Sequence, residues 1–282
     1  MITGADPVAA LSPTPKPGVA AAMRRIYAPG PVTGVWGQWG LQSNVAFGKA
    51  KGAIRKWRAG LAEGSWPARL GLGLPADRQH ECRLFYLDED YVARAKADAA
   101  AGGEVEYVST NDVVASWFSR NLDVATMAIN FRGRLDDALD TDAGNYVSSL
   151  PFGPADSARP ALIRWTLQNG FRRAAADTSP LPAGLGWMGR TTGLLTSWAS
   201  FAKPPRLPGA ELELTFPYGD MDRDSSDPLK HNFAVPVGIV FRANDRLAMS
   251  VAGFPEVLER FEWTGSLPGE ALDIHTHWRA IL

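Results

Sequence analysis

The 282-residue chain carries 29 basic and 30 acidic side chains, 45% hydrophobic residues and a single cysteine. So balanced a charge excludes a global field that would recruit nucleic acid or an acidic membrane, and Cys82 alone excludes an internal disulfide or a cysteine-based zinc site. No run reaches the ~20 apolar residues of a membrane span, and the first residues, MITGADPVAALSPTPKPG, have neither the basic start nor the apolar core of a secretory signal. The expectation is a globular, cytoplasmic protein with a sizeable core.

Residues 1 to about 35 are rich in Pro, Gly and Ala; Pro13, Pro15, Pro17, Pro29 and Pro31 restrict the backbone and remove amide donors, so this part reads as an arm or connector. Five basic residues lie between Lys49 and Arg58, interleaved with Ile54 and Trp57, and read as a solvated helix face. Arg83 to Leu87 has strand character. Asp88 then suits a helix N-cap, Val92, Ala95 and Ala99 recur at helical spacing, and Gly102-Gly103 stops the run.

The next helix starts near Asn111, with Ser109, Thr110 and Asn111 as caps and Asp112 beside the positive end of the helix dipole. Val113, Val114, Trp117 and Phe118 share the face that should bury. Asn111 and Asp112 have two readings, pure capping or the shaping of a site. Ala125 to Phe131 reads as a buried strand ending at Arg132 and Arg134, followed by Asp136, Asp137, Asp140 and Asp142. An arginine there can brace a carboxylate through two parallel hydrogen bonds.

Pro160 to Ala176 reads as the clearest long helix, with Asp156 or Ser157 near its start and Leu162, Trp165 and Phe171 inside it. Thr178 to Gly193 reads as a Pro/Gly-rich loop whose glycines do not fit a dinucleotide fingerprint. Strands are expected at Leu194 to Trp198, Glu211 to Phe216, Val235 to Arg242 and Arg246 to Val251, the last two joined by a hairpin turn at Asn244-Asp245. A helix over Pro255 to Trp263 follows. Mixed strands and helices of this kind suggest an α/β sandwich with a mixed sheet.

Two apparent metal motifs fail in detail. Asp220-Met221-Asp222-Arg223-Asp224 has Ser225 where a calcium loop needs Gly and His231 where it needs a bidentate Glu. His275 and His277 have only Asp273 as a neighbouring ligand and read as a surface pair. No metal is expected.

One run, VSTNDVVASWFSRNLDVATMAINFRGRLDDALDTDAGNYV from Val108 to Val147, contains Ser-Thr-Asn-Asp at Ser109, Asn-Phe-Arg-Gly-Arg at Asn130 and Ala-Gly-Asn-Tyr at Ala143. In order and spacing these resemble the second half of the acyl-CoA-dependent acyltransferases, the superfamily of the plant-type His-x-x-x-Asp enzymes and the chloramphenicol acetyltransferase-like proteins. Thr196-Ser197-Trp198 and the strand from Val235 continue the likeness, which covers roughly residues 80 to 255. Thr215-Phe216-Pro217-Tyr218-Gly219 stands near the place of that family's Asp-Phe-Gly-Trp-Gly, keeping only the aromatic and the last glycine.

The resemblance implies the C-terminal half of a two-layer, mixed-sheet α/β sandwich at 80–282, with 1–79 as the inter-half connector. It implies acyl transfer from acyl-CoA, as co-substrate rather than bound cofactor, to a small hydroxyl or amine acceptor. Asn111, Asp112, Arg132, Arg134, Asn145, Ser197 and Trp198 would shape or support the channel; the first arginine of the strand-end motif braces the motif aspartate of the other half. The general base is missing. Four residues after His80, His231, His275 and His277 stand Leu84, Val235, Arg279 and Ile281, so no His-x-x-x-Asp occurs in the chain. The expectations are a truncated or degenerate acyltransferase that is inactive alone and partnered by a missing N-terminal half, a non-catalytic ligand- or partner-binding relative, or an unrelated aromatic-rich binding domain.

Overall fold

The computed structural model describes residues 81–135, 147–182, 190–200, 236–243, 246–253 and 255–272, together with Pro17, Gly18 and Ala21. In chain order the elements are β1 (Glu81–Leu87), α1 (Glu89–Ala101), α2 (Thr110–Ser119), β2 (Val124–Asn130), β3 (Val147–Phe152), α3 (Pro154–Ser157), α4 (Pro160–Gln168), β4 (Thr192–Ser197), β5 (Val237–Ala243), β6 (Arg246–Gly253), α5 (Pro255–Leu258) and β7 (Pro268–Ala271). The strands form one sheet in the order β3-β2-β4-β5-β6-β1-β7. β2, β4 and β5 run parallel, and every other pairing is antiparallel. This is a mixed-sheet α/β architecture, as the sequence suggests.

Strand alternation divides the sheet into two faces. Phe85, Met127, Ile129, Leu195, Val240, Met249 and Val251 join the buried side chains of the helices in the main core. Tyr86, Phe241, Ala243, Ala248 and Leu272 make a smaller cluster. α2 is the central helix, and its apolar face is complete: Val113, Val114, Trp117 and Phe118 are all buried. Two glycines let it approach the sheet. A methyl at Gly238 would lie 2.8 Å from Met249 Cε and 2.9 Å from the Phe118 ring, and one at Gly193 would overlap Leu122.

Helix ends follow the expected chemistry where a cap residue is present. Asp88 accepts from Tyr91 N–H at 2.7 Å. Ser109 and Asp112 form a reciprocal capping box, in which Asp112 Oδ2 accepts from Ser109 N–H at 2.7 Å.

Two helices are shorter than the sequence suggests. α4 ends at Gln168 rather than Ala176, because Asn169-Gly170 closes it. Gly170 and Phe171 both adopt left-handed backbone (φ 64° and 65°), and Phe171 N–H bonds back to Thr166 C=O at 3.0 Å. That reverse bond is of Schellman type. Phe171 tolerates the strain because it is buried edge-on against Phe131, with ring centroids 5.0 Å apart. Asp156 and Ser157 belong to the separate α3, and Arg159 precedes α4 without a side-chain cap.

α5 likewise stops at Leu258 instead of Trp263. Leu258 C=O accepts from Trp263 Nε1 at 2.7 Å and from Phe261 N–H at 3.1 Å. The turn delivers Phe261 and Trp263 to Trp117, at 5.2 and 5.7 Å between centroids. Aromatic packing outweighs the five further helical residues here. β4 also begins at Thr192, just inside the stretch expected as loop.

β3, α3 and β7 have no counterpart in the sequence-based expectations. β3 carries Pro151 and β7 opens on Pro268, each in a terminal strand of the described sheet, where a missing amide is tolerated. The expected strand at Glu211 to Phe216 and the turn at Asn244-Asp245 lie outside the described residues, although Ala243 pairs with Arg246 as a hairpin requires. No helix among the described residues is long and apolar enough to cross a membrane.

Candidate functional site

The C-terminal ends of the three parallel strands and the first turn of α2 enclose a cleft of about 730 Å³. α2 contributes Ser109, Thr110, Asn111 and Val114; β2 and the turn after it contribute Met127, Ile129, Asn130, Arg132 and Arg134. Ser197 closes it from β4, Val240 and Arg242 from β5, Leu247 from β6, Lys96 from α1 and Arg164 from α4. Residues more than a hundred positions apart, such as Met127 and Arg242, meet there because parallel strands all end on the same side of a sheet. Five cationic side chains line the cleft, and among the described residues no carboxylate does.

Asp112 does not line the cleft, but it controls a residue that does. Its side chain is fully buried, and Oδ2 receives Ser109 N–H at 2.7 Å, Ser109 Oγ at 2.8 Å, and Arg164 Nε and Nη2 at 2.8 and 2.6 Å. Its other oxygen, Oδ1, is buried with no partner among the described residues. Arg164 in turn donates Nη1 to Tyr107 Oη at 3.1 Å and stacks over that ring at 4.5 Å. A carboxylate that serves as the N3 residue of a capping box thus anchors an arginine from a helix 52 residues away.

Asn111 presents its amide to the cleft. Among the described residues Nδ2 makes a weak 3.5 Å contact to Met127 Sδ, and Oδ1 is buried with no donor. At the end of β2, Asn130 Oδ1 accepts from Arg132 N–H at 3.1 Å and shapes the turn that carries both arginines.

Of the residues singled out in the sequence, Asn111, Arg132, Arg134 and Ser197 come together at the cleft, and Asp112 reaches it through Arg164. Trp198 is not brought to it: one residue beyond Ser197 it falls on the opposite side by strand alternation, 37% exposed. Asn145 lies outside the described residues. So do all four histidines, the acidic loop at Asp220 and the acidic residues from Asp136 to Asp142. Among the described residues there is no group of three or more His, Cys, Asp or Glu side chains able to hold a metal ion.

Arg164 and Lys96 are the lining residues that motif reading does not pick out. Arg164 sits in PALIRWTLQ, a helix otherwise without charge, and that isolation is a signal for a buried partner.

A second buried pair, away from the cleft, joins Asp156 of α3 to Arg173. Asp156 Oδ2 accepts from Gly153 N–H and Arg173 Nε, both at 2.8 Å, and Oδ1 accepts from Ala175 N–H at 2.9 Å. Arg173 also donates to Ser179 C=O at 2.7 Å.

No protein-family model and no curated protein matches the sequence. Solved structures similar to it include TRI101 of F. sporotrichioides complexed with coenzyme A and T-2, at 18% identity and TM-score 0.40, covering 67% of this chain and 51% of that one. Vinorine synthase is similar at 12% identity and TM-score 0.38, covering 71% of this chain and 50% of that one. Polyketide synthase associated protein 5 from Mycobacterium tuberculosis is similar at 17% identity and TM-score 0.36, covering 65% and 51%. The chain spans about half the length of each.

Proposed function

We propose that this cleft serves acyl transfer from acyl-CoA to a small hydroxyl or amine acceptor, with residues 80–282 acting as the supporting half of the site and 1–79 as its connector. One observation carries the reading: the residues that resemble the acyltransferase motifs, Asn111, Arg132, Arg134 and Ser197, come from three separate segments and line one cleft. In the reaction the acceptor's oxygen or nitrogen bonds to the thioester carbonyl carbon, the carbon–sulfur bond breaks, and a base takes the acceptor's proton. Asn111, in the first turn of α2, is assigned to shaping the acceptor side of the cleft. The Ser197 hydroxyl is assigned to the developing oxyanion.

The base is not assigned within this chain. Without His-x-x-x-Asp, the proton transfer that contributes ~100- to 10,000-fold is lost, so a separate N-terminal-type half would have to supply it. The same absence favours a second reading, a non-catalytic relative that binds the ligand without turning it over.

Calorimetry with acetyl-CoA and a thiol-release assay on the full chain test both readings. Binding without release fits the proposal, and release restored by a chain bearing His-x-x-x-Asp selects the first reading over the second. Thiol release abolished by replacing one of the four histidines would contradict the missing base. Failure to bind acetyl-CoA would contradict the acyl-CoA assignment itself.

A further inference from the structure

Arginine carries five N–H donors in a rigid planar fork. Arg164 commits Nε and Nη2 to a single oxygen of Asp112 and Nη1 to Tyr107 Oη, which uses three of the five. One N–H remains on each terminal nitrogen. The Asp112 bonds and the stacking on Tyr107 fix the plane of the fork, so these two donors keep a constant aim. The side chain is 11% exposed, and Arg164 is one of the residues that line the cleft.

The surroundings deepen the same preference. Lys96 and Arg134 line the cleft and form no ion pair among the described residues. Val114, Ile129 and Val240 supply apolar walls beside them. Cations gathered in a concave, partly apolar surface repel one another and focus a positive potential that an anion relieves. A guanidinium that keeps a donor on each terminal nitrogen can bond the oxygens of a phosphate or carboxylate.

We infer that the cleft is an oxyanion seat for a ligand bearing at least two negative charges, with Arg164 as its fixed recognition group and Lys96 and Arg134 neutralising the remainder. This does not depend on the acyl-transfer reading. The charge can come from the phosphates of a nucleotide-type co-substrate or from an acidic acceptor.

Titration calorimetry on the full chain separates these sources. The probes are inorganic pyrophosphate, coenzyme A, pantetheine and malate, each at two salt concentrations. The inference predicts salt-sensitive binding of pyrophosphate, weakened about tenfold or more in Arg164→Lys. That variant keeps a cation opposite Asp112 and loses the fork together with its bond to Tyr107. Lys96→Gln and Arg134→Gln, on less buried positions, are expected to weaken binding as well.

Coenzyme A binding where malate does not assigns the seat to phosphates, and the reverse assigns it to an acidic acceptor. Pyrophosphate binding with no acetyl-CoA binding would leave the seat standing and remove the acyl-CoA reading. Absence of pyrophosphate and malate binding, or affinities unchanged in all three variants, would overturn the inference even if acetyl-CoA binds.

Discussion

Two buried arginine–aspartate pairs stand in one small region of this molecule, and they are built differently. In both, a fully buried aspartate is the third residue of a short N-terminal helical turn, and an arginine approaches it through Nε and Nη2. Asp156 is saturated, with backbone N–H groups and Arg173 shared between its two oxygens. Asp112 receives four donors on Oδ2 and, among the described residues, none on Oδ1, and its arginine lines the cleft. A satisfied pair fixes local structure. A pair whose arginine lines a cavity and keeps donors unused among the described residues has bonding capacity for something that is not part of the chain.

Isosteric amides bring out the difference most strongly. In Asp156→Asn, either orientation of the amide points an NH2 at a donor, while Arg173 loses its counter-charge in the interior. The expected cost is ~3–5 kcal/mol, read from urea denaturation. In Asp112→Asn the carbonyl can keep the Oδ2 bonds while the NH2 takes the unoccupied Oδ1 position. Arg164 loses its counter-charge as well but keeps its stacking on Tyr107, so the loss should be the smaller of the two, ~2–3 kcal/mol. Equal costs for the two variants would break the comparison.

Gly238→Ala should cost ~1–3 kcal/mol by forcing the Phe118 ring and Met249 apart, since added volume in a packed core is itself destabilising. Loss of the Ser109 cap in Ser109→Ala is expected to cost ~1 kcal/mol, with a larger effect if the Ser109 Oγ bond to Asp112 is also important. Smallest of all, Arg172→Ala removes a surface pair with Asp177 whose members are 54% and 70% exposed. Its effect should stay below ~1 kcal/mol, although its neighbour Arg173 is among the most sensitive positions. Thermal or urea unfolding of the series orders these effects.

The sequence made the central features of the fold readable because they are local. Apolar runs gave β1, β2, β4, β5 and β6, while Asp88 and the Ser109 to Asp112 cap marked the starts of the two long N-terminal helices. What was illegible depends on distant partners. β3 and β7 are short, carry prolines and make sense only as terminal strands once β2 and β1 are in place. α5 stops early because Phe261 and Trp263 are drawn to Trp117, more than a hundred residues upstream.

The site divides in the same way. Asn111, Arg132, Arg134 and Ser197 could be named from motif resemblance alone, whereas the Arg164 bond to Asp112 spans 52 residues and has no motif. The lone charge in the middle of α4 was the available clue.

Central to this account is that the Arg164 pair serves a ligand and the Arg173 pair serves the fold. The direct test is the shift in urea midpoint produced by saturating pyrophosphate in the wild type, Arg164→Lys and Arg173→Lys, because a ligand at a hundred times its Kd stabilises the native state by ~2.7 kcal/mol. On this account both variants should start below the wild type, Arg173→Lys keeping the shift and Arg164→Lys losing most of it. A full shift in Arg164→Lys, or none in the wild type, would contradict it.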